Sequence, residues 1–254
     1  MLVFASSRAQ VIFQDSFEYT DPDPYYMYNR GGWQYDAGSL RPEEGEGPSF
    51  PVGPTEGIQP KTGNKMFDFR ASTFALQERE IFRQKSSTLK PPVTECSVAF
   101  CYRPSVVEPH NLAFKVFASG IGLTAEINAS RTTMTLTGLL QTRTAAVTLE
   151  TGRWYTFKYR MEWSKDRITC YIDNSKIFDV PDPNSSPTYD VHTFRPFIRP
   201  LSNTASKYGV FDGAPGVFLD DYRLIAVPEP SSGLVLASAL VSIVAVKNRR
   251  KARK

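Results

Sequence analysis

Between Gln10 and Val227 no apolar spacing of three or four persists long enough to make a helix. What recurs instead is short runs of β-branched and aromatic residues, cut by Gly, Pro, Asn and Asp. Thirteen runs are expected as strands: residues 11–19, 65–70, 75–83, 95–103, 112–117, 122–128, 132–138, 145–149, 154–163, 167–173, 176–180, 193–199 and 217–227. The lack of helical stretches between them excludes a βαβ architecture. The expectation is an all-β fold in which two antiparallel sheets pack face to face. Alternation within the runs suits half-buried strands: Ile168, Cys170 and Ile172 share one face, Thr169, Tyr171 and Asp173 the other. Asp173-Asn174-Ser175 reads as a hairpin turn, which makes 153–180 a three-strand meander. Residues 41–60, with five Pro, four Gly and four Glu, read as a surface excursion, and 181–190 as a second loop.

Composition narrows the class further. A chain of 254 residues with 13% aromatics is not disordered. One apolar run and a mean hydropathy of −0.31 exclude a protein crossing the membrane many times. The net charge of +4 belongs to one end, because the last 27 residues hold six basic side chains against the single acid Glu229. The body is therefore nearly neutral, and nucleic acid is not an expected partner.

That basic end has a defined order. Val227-Pro228-Glu229-Pro230 precedes an apolar run, residues 231–246, and then a cluster including Lys247, Arg249, Arg250 and Lys251. As a helix the run spans about 24 Å at 1.5 Å per residue, which tilt and snorkelling basic side chains extend toward a bilayer's thickness. The basic cluster is expected to stay cytoplasmic, leaving the body outside. This arrangement resembles the PEP-CTERM sorting signal of Gram-negative bacteria. The resemblance implies a tail recognised by the membrane enzyme exosortase near Pro228, Glu229 and Pro230, with Arg249 and Arg250 in the basic cluster. It also implies an inner-membrane intermediate and delivery to the cell surface or extracellular matrix. Ser7-Arg8-Ala9 has the small residues at −3 and −1 that signal peptidase accepts. The expected organisation is a signal-peptide remnant at 1–9, a sandwich at 10–227 and the sorting tail with a single apolar helix at 228–254.

A second resemblance lies in the body. Residues 94–104, the pair 151–157 and 167–174, and 217–224 resemble, in that order, an early strand, a central hairpin and the closing strand of concanavalin A-like (laminin-G-like) domains. It implies a jelly-roll sandwich, a fold shared by lectins, glycosidases, lyases and structural domains. In many such jelly rolls the first and last strands share a structural calcium. Glu18 and Asp220 are the expected ligands here, hard oxygen donors suited to Ca²⁺.

Three chemistries compete for the body. Sandwich glycosidases carry a Glu-x-Asp-x-x-Glu spacing that is absent, and Glu78 and Glu80 form a strand-borne pair without the central Asp. A polysaccharide lyase needs a Tyr, His or Lys base beside Arg. Tyr189, His192, Arg195 and Arg199 supply those types without a recognised spacing. Sugar binding by aromatic stacking is suggested by residues 25–35, with Tyr28, Trp33 and Tyr35 as the platform. Cys96 and Cys101 point to opposite faces of one strand, and Cys170 could pair with either; buried free thiols are the expected state of all three. The expectation is a non-catalytic, exported surface or matrix protein that binds extracellular polysaccharide. The alternatives are a carbohydrate-active enzyme on the same sandwich and a structural protein without ligand.

Overall fold

The computed structural model describes residues 9–19, 34–35, 50–70, 79–84, 93–105, 110–118, 121–138, 142–162, 165, 167–181, 191–200 and 216–227. In chain order the strands are β1 (Gln10–Asp15), β2 (Gln34–Tyr35), β3 (Phe50–Val52), β4 (Met66–Arg70) and β5 (Arg79–Gln84). There follow β6 (Val93–Tyr102), β7 (His110–Ala118), β8 (Ile121–Ile127), β9 (Thr133–Thr137) and β10 (Arg143–Ala146). The last five are β11 (Trp154–Glu162), β12 (Arg167–Ile172), β13 (Ser175–Pro181), β14 (Val191–Pro200) and β15 (Gly216–Val227).

These strands form the expected sandwich. One sheet has eight strands, ordered β13-β12-β11-β6-β15-β4-β3, with β1 also paired to β15. The other has seven, ordered β10-β9-β8-β7-β14-β5-β2. Binary patterning explains which faces meet. Along β11, Tyr155, Phe157, Tyr159 and Met161 are buried while Thr156, Lys158, Arg160 and Glu162 are half-buried. Leu112, Phe114 and Val116 of β7 enter the same core from the opposite sheet. Phe157 stacks on Phe114 with ring centroids 4.2 Å apart and planes 8° from parallel. Beside them the Tyr159 hydroxyl donates to the Phe114 carbonyl at 2.9 Å. That bond spares a buried hydroxyl the cost of about 1–3 kcal/mol for lacking a partner. The β11-β12-β13 meander is present, and Asp173 adopts φ 55° in its two-residue turn.

The cysteines behave as buried thiols. All three are free, and burial pushes each thiol well up, Cys101 to about 12. Cys96 and Cys170 both register with Tyr159 of β11, from the strands on either side of it. Two strand spacings, about 9.6 Å, exceed what a disulfide spans.

The segment 41–60 departs from the expected excursion. Its described end, residues 50–60, returns to the sheet: β3 pairs with β4, and Thr55 and Ile58 exchange backbone hydrogen bonds of 3.1 and 2.8 Å. Ile58 thereby joins Met66, Cys101 and Phe218 in a second, smaller core on the outer face of the eight-stranded sheet. Trp154 packs against it, its indole N–H donating to the Gln59 carbonyl at 2.8 Å. A proline inside β3 hid the strand, since Pro51 has no N–H to give a ladder. At a sheet edge, where β3 lies, that loss is tolerated.

Candidate functional site

The central strands of the seven-stranded sheet turn Leu112, Phe114, Val116, Leu123, Ala125, Ile127, Met134 and Leu136 into the core. Alternation therefore sends Asn111, Lys115, Thr124, Glu126, Thr133, Thr135 and Thr137 to the opposite, outer face, where all are half-buried. Register assembles them into rows. Glu126 lies opposite Ala113 on one side and Thr135 on the other, and Lys115 lies opposite Thr124. The Asn111 side-chain amide donates to Glu126 Oε1, which ties β7 to β8 across this face. On the other flank of β7, the β14 backbone registers Arg195 opposite Lys115, Phe197 opposite Ala113 and Arg199 opposite Asn111. A carboxylate, an amide, an amine and a row of hydroxyls thus share the middle of one outer sheet face. Those groups can bind sugar hydroxyls and move protons.

The seam where β1, β15 and the loop at 61–65 meet is the second cluster. Glu18 Oε1 accepts from the backbone N–H groups of Asn64 and Lys65, at 2.7 and 2.9 Å. Asp220 accepts from Thr62 N–H at 2.9 Å and from Asp221 N–H at 2.7 Å. Asp221 completes the clasp by accepting from the Thr62 hydroxyl at 2.9 Å. Two left-handed residues aim these carboxylates: Phe17, at φ 57°, and Asp221, at φ 48° beside the β15 bulge. Phe17 itself is fully buried and stacks on Phe67, which pays back the strain. A Cβ on Gly63, at φ +62°, would lie 2.1 Å from Glu18 Oε1, so glycine is what lets the carboxylate reach the loop. Asp220 is fully buried, and burial pushes its carboxyl up to about 6 against the hydrogen bonds it accepts. Among the described residues no cation pairs with it. Nor do three His, Cys, Asp or Glu side chains gather there as a metal-binding group.

The residues singled out from sequence fall in three places. Glu18 and Asp220 both reach the loop at 61–65, where each accepts backbone N–H groups. Tyr35 lies in β2 at the edge of the seven-stranded sheet, opposite Ile81, while Trp33 and Tyr28 lie outside the described residues. Glu80 and His192 sit in β5 and β14 of that same sheet, with Glu78 and Tyr189 outside the described residues. The sorting residues Pro228, Glu229, Pro230, Arg249 and Arg250, and the apolar helix at 231–246, also lie outside them. The Asn111, Lys115 and Glu126 group was missed. Each is a lone polar residue at an outward strand position, and only the strand register brings them together.

The body is thus a concanavalin A-like jelly roll with a polar cluster across one outer sheet face. It is similar in fold to the cellulose-induced protein Cip1, at 11% identity and a TM-score of 0.55, over 85% of this chain and 98% of that one. It is similar to SCLam, a non-specific endo-β-1,3(4)-glucanase of family GH16, at 13% identity and a TM-score of 0.51, over 88% and 93% of the two chains. An endo-β-1,4-glucuronan lyase from the fungus Trichoderma reesei gives 12% identity and a TM-score of 0.53, over 86% and 96%. This chain spans only 15% of a sialidase that it also matches. No family model and no curated protein matches the sequence.

These likenesses are of fold, and they correct one expectation. The body was expected to be non-catalytic because a hydrolase spacing is missing, yet two of these structures with the same sandwich are a glucanase and a lyase. The physical reason is geometric: a site laid across a sheet draws one residue from each of several strands. A linear spacing on one strand tests for a single version of it.

Proposed function

We propose that the chain is an exported carbohydrate-active enzyme whose polysaccharide substrate lies across the outer face of the seven-stranded sheet. The observation that carries this reading is the Glu126–Asn111 pair beside Lys115 in the middle of that face. Thr124, Thr135 and Thr137 extend the polar surface across β8 and β9 and offer hydroxyls to a glycan. The similar folds of a glucanase and a glucuronan lyase support it. Trp33 and Tyr35 are the proposed stacking platform for sugar rings. The tail at 228–254 is proposed to carry the enzyme through an exosortase to the cell surface.

One assay addresses both halves. Full-length protein should release reducing ends from at least one extracellular polysaccharide, and Glu126→Ala should lower that rate about tenfold or more with its melting temperature held. In cells, deleting 228–254 should leave total activity in place and remove it from the surface fraction. An unchanged rate for Glu126→Ala would move the site elsewhere, and an unchanged surface fraction would remove the sorting role.

We also propose that the seam binds structural calcium through Glu18 and Asp220, with backbone carbonyls completing the oxygen set. Support comes from Asp220, a fully buried carboxylate lacking a cation among the described residues. Calcium at 100 times its dissociation constant adds about 2.7 kcal/mol. For a domain of this size that is a melting shift of roughly 5–10 °C. The shift should reverse with EDTA and vanish in Asp220→Asn. A melting temperature indifferent to both calcium and EDTA would show that the amide hydrogen bonds close the seam alone.

A further inference from the structure

A second polar row crosses the other side of the sandwich, on the outer face of the eight-stranded sheet. Leu224, Cys96, Phe157, Tyr159, Cys170 and Phe178 enter the core from β15, β6, β11, β12 and β13. Alternation therefore turns Arg223, Ser97, Lys158 and Tyr171 outward. Register sets them side by side: Arg223 opposite Ser97, Ser97 opposite Lys158, Lys158 opposite Tyr171, and Tyr171 opposite Lys176. Across five strands the order is thus cation, hydroxyl, cation, hydroxyl, cation. At about 4.8 Å per strand the cation-bearing backbones stand roughly 10 Å apart, and the row runs for about 19 Å.

The charge of this row is held in place without being cancelled. Lys158 Nζ lies 4.7 Å from the centre of the Tyr171 ring, and a ring face orients an ammonium while leaving its charge whole. Lys176 shares Asp179 with Arg167, two cations on one carboxylate. Arg223 stands 3.9 Å from Asp221, which already accepts from the Thr62 hydroxyl. The Lys176 and Arg223 side chains are 53% and 48% exposed, so both can turn to a ligand.

We propose that this row binds an acidic polysaccharide laid across the strands, its carboxylates or sulfates on the three cations and its hydroxyls on Ser97 and Tyr171. The cations stand in single file between acids. Glu95, paired with Arg160, and Asp179 lie two residues along on one side, and Asp173 and Asp221 on the other. A bilayer or a nucleic-acid duplex is wide enough to meet those acids and be repelled by them, whereas one extended chain meets the cations alone. The row belongs to the sheet opposite Glu126, so a polymer bound here leaves the other face open.

The test is affinity electrophoresis of the full chain through gels containing polyglucuronate, chondroitin sulfate or neutral dextran. The expected result is retardation by an acidic polymer, weakening as salt rises, and none by dextran. Lys158→Gln should weaken the binding about fivefold, as for one charge contact in water, and Lys158→Arg should keep it. The triple variant Lys158→Gln, Lys176→Gln, Arg223→Gln should lose about 100-fold with its melting temperature held. A triple variant retarded as strongly as wild type would assign the binding to the basic cluster at 247–254 and overturn the site. Free migration of the wild type in both acidic gels would overturn it as well. Phosphatidylglycerol vesicles that bind the wild type and not the triple variant would put a lipid surface in place of the polysaccharide.

Discussion

Replacing Phe157 with alanine is expected to cost about 3–5 kcal/mol of folding stability, the range for emptying a fully buried aromatic site. The site earns the upper part of that range. Phe157 is fully buried, stacks on Phe114 at 4.2 Å and meets the edge of Tyr159 at 4.8 Å. Phe114 belongs to β7 and Phe157 to β11, so the stack joins the two sheets at the centre of the sandwich. Neither neighbour can collapse into the hole easily. Phe114 is fixed in a strand paired on both sides, and Tyr159 is held by its hydrogen bond to the Phe114 carbonyl. For a domain of this size the loss corresponds to a melting temperature lower by roughly 6–20 °C. Phe157→Leu, which refills most of the volume, should cost less than half as much. Thermal unfolding followed by circular dichroism reads both. A loss under about 1 kcal/mol for the alanine variant would mean the sheets are joined elsewhere.

The same pair shows what sequence could and could not reveal. Phe157 and Phe114 each sit in a run expected as a strand, and β11 alternates cleanly, so the inward direction of Phe157 was legible, whereas in β7 Leu112, Ala113 and Phe114 are apolar and buried in succession. The contact between the two rings was not legible, because alternation states which side a residue faces and not which strand lies across the core. The Asp173 turn was legible because it joins neighbours in sequence, and a two-residue loop leaves one pairing possible. The strand expected at 145–149 is displaced to β10, Arg143–Ala146. Val147 and Leu149 are buried, as their apolar character predicts, but their N–H groups return to the carbonyls of Thr132 and Arg131 outside the ladder.

The candidate site divides along the same line. Glu18 and Asp220 were named from sequence as expected calcium ligands, and the structure brings both carboxylates to amides of the 61–65 loop. Glu126, Asn111 and Lys115 were not, because polar residues at outward strand positions are ordinary. Their meaning comes from register, which a one-residue slip would destroy by sending every one of them to the other face.

Arg103→Met is expected to cost about 3–5 kcal/mol, the penalty for stranding a buried charge. Arg103 is only 5% exposed and reaches in three directions from the end of β6. Its guanidinium donates to Asp68 at 3.1 Å, and its Nε donates to Glu56 at 2.9 Å. It also lies 5.3 Å from the centre of the Phe218 ring. Asp68 belongs to β4, Phe218 to β15 and Glu56 to the turn that lays Ile58 over the sheet. One cation therefore ties that turn to two strands beneath it. Methionine keeps the length and the apolar contact with Phe218, so what the variant removes is the charge. Asp68, at 1% exposure, would then be a buried carboxylate without the guanidinium that offsets it. The double variant Arg103→Met, Asp68→Val should recover much of the loss, because an apolar pair of similar volume carries no desolvation cost. Denaturant unfolding of wild type, both single variants and the double variant measures the coupling. A double variant no more stable than Arg103→Met would show that the cost lies in the lost hold on Glu56, with Asp68 satisfied by other partners.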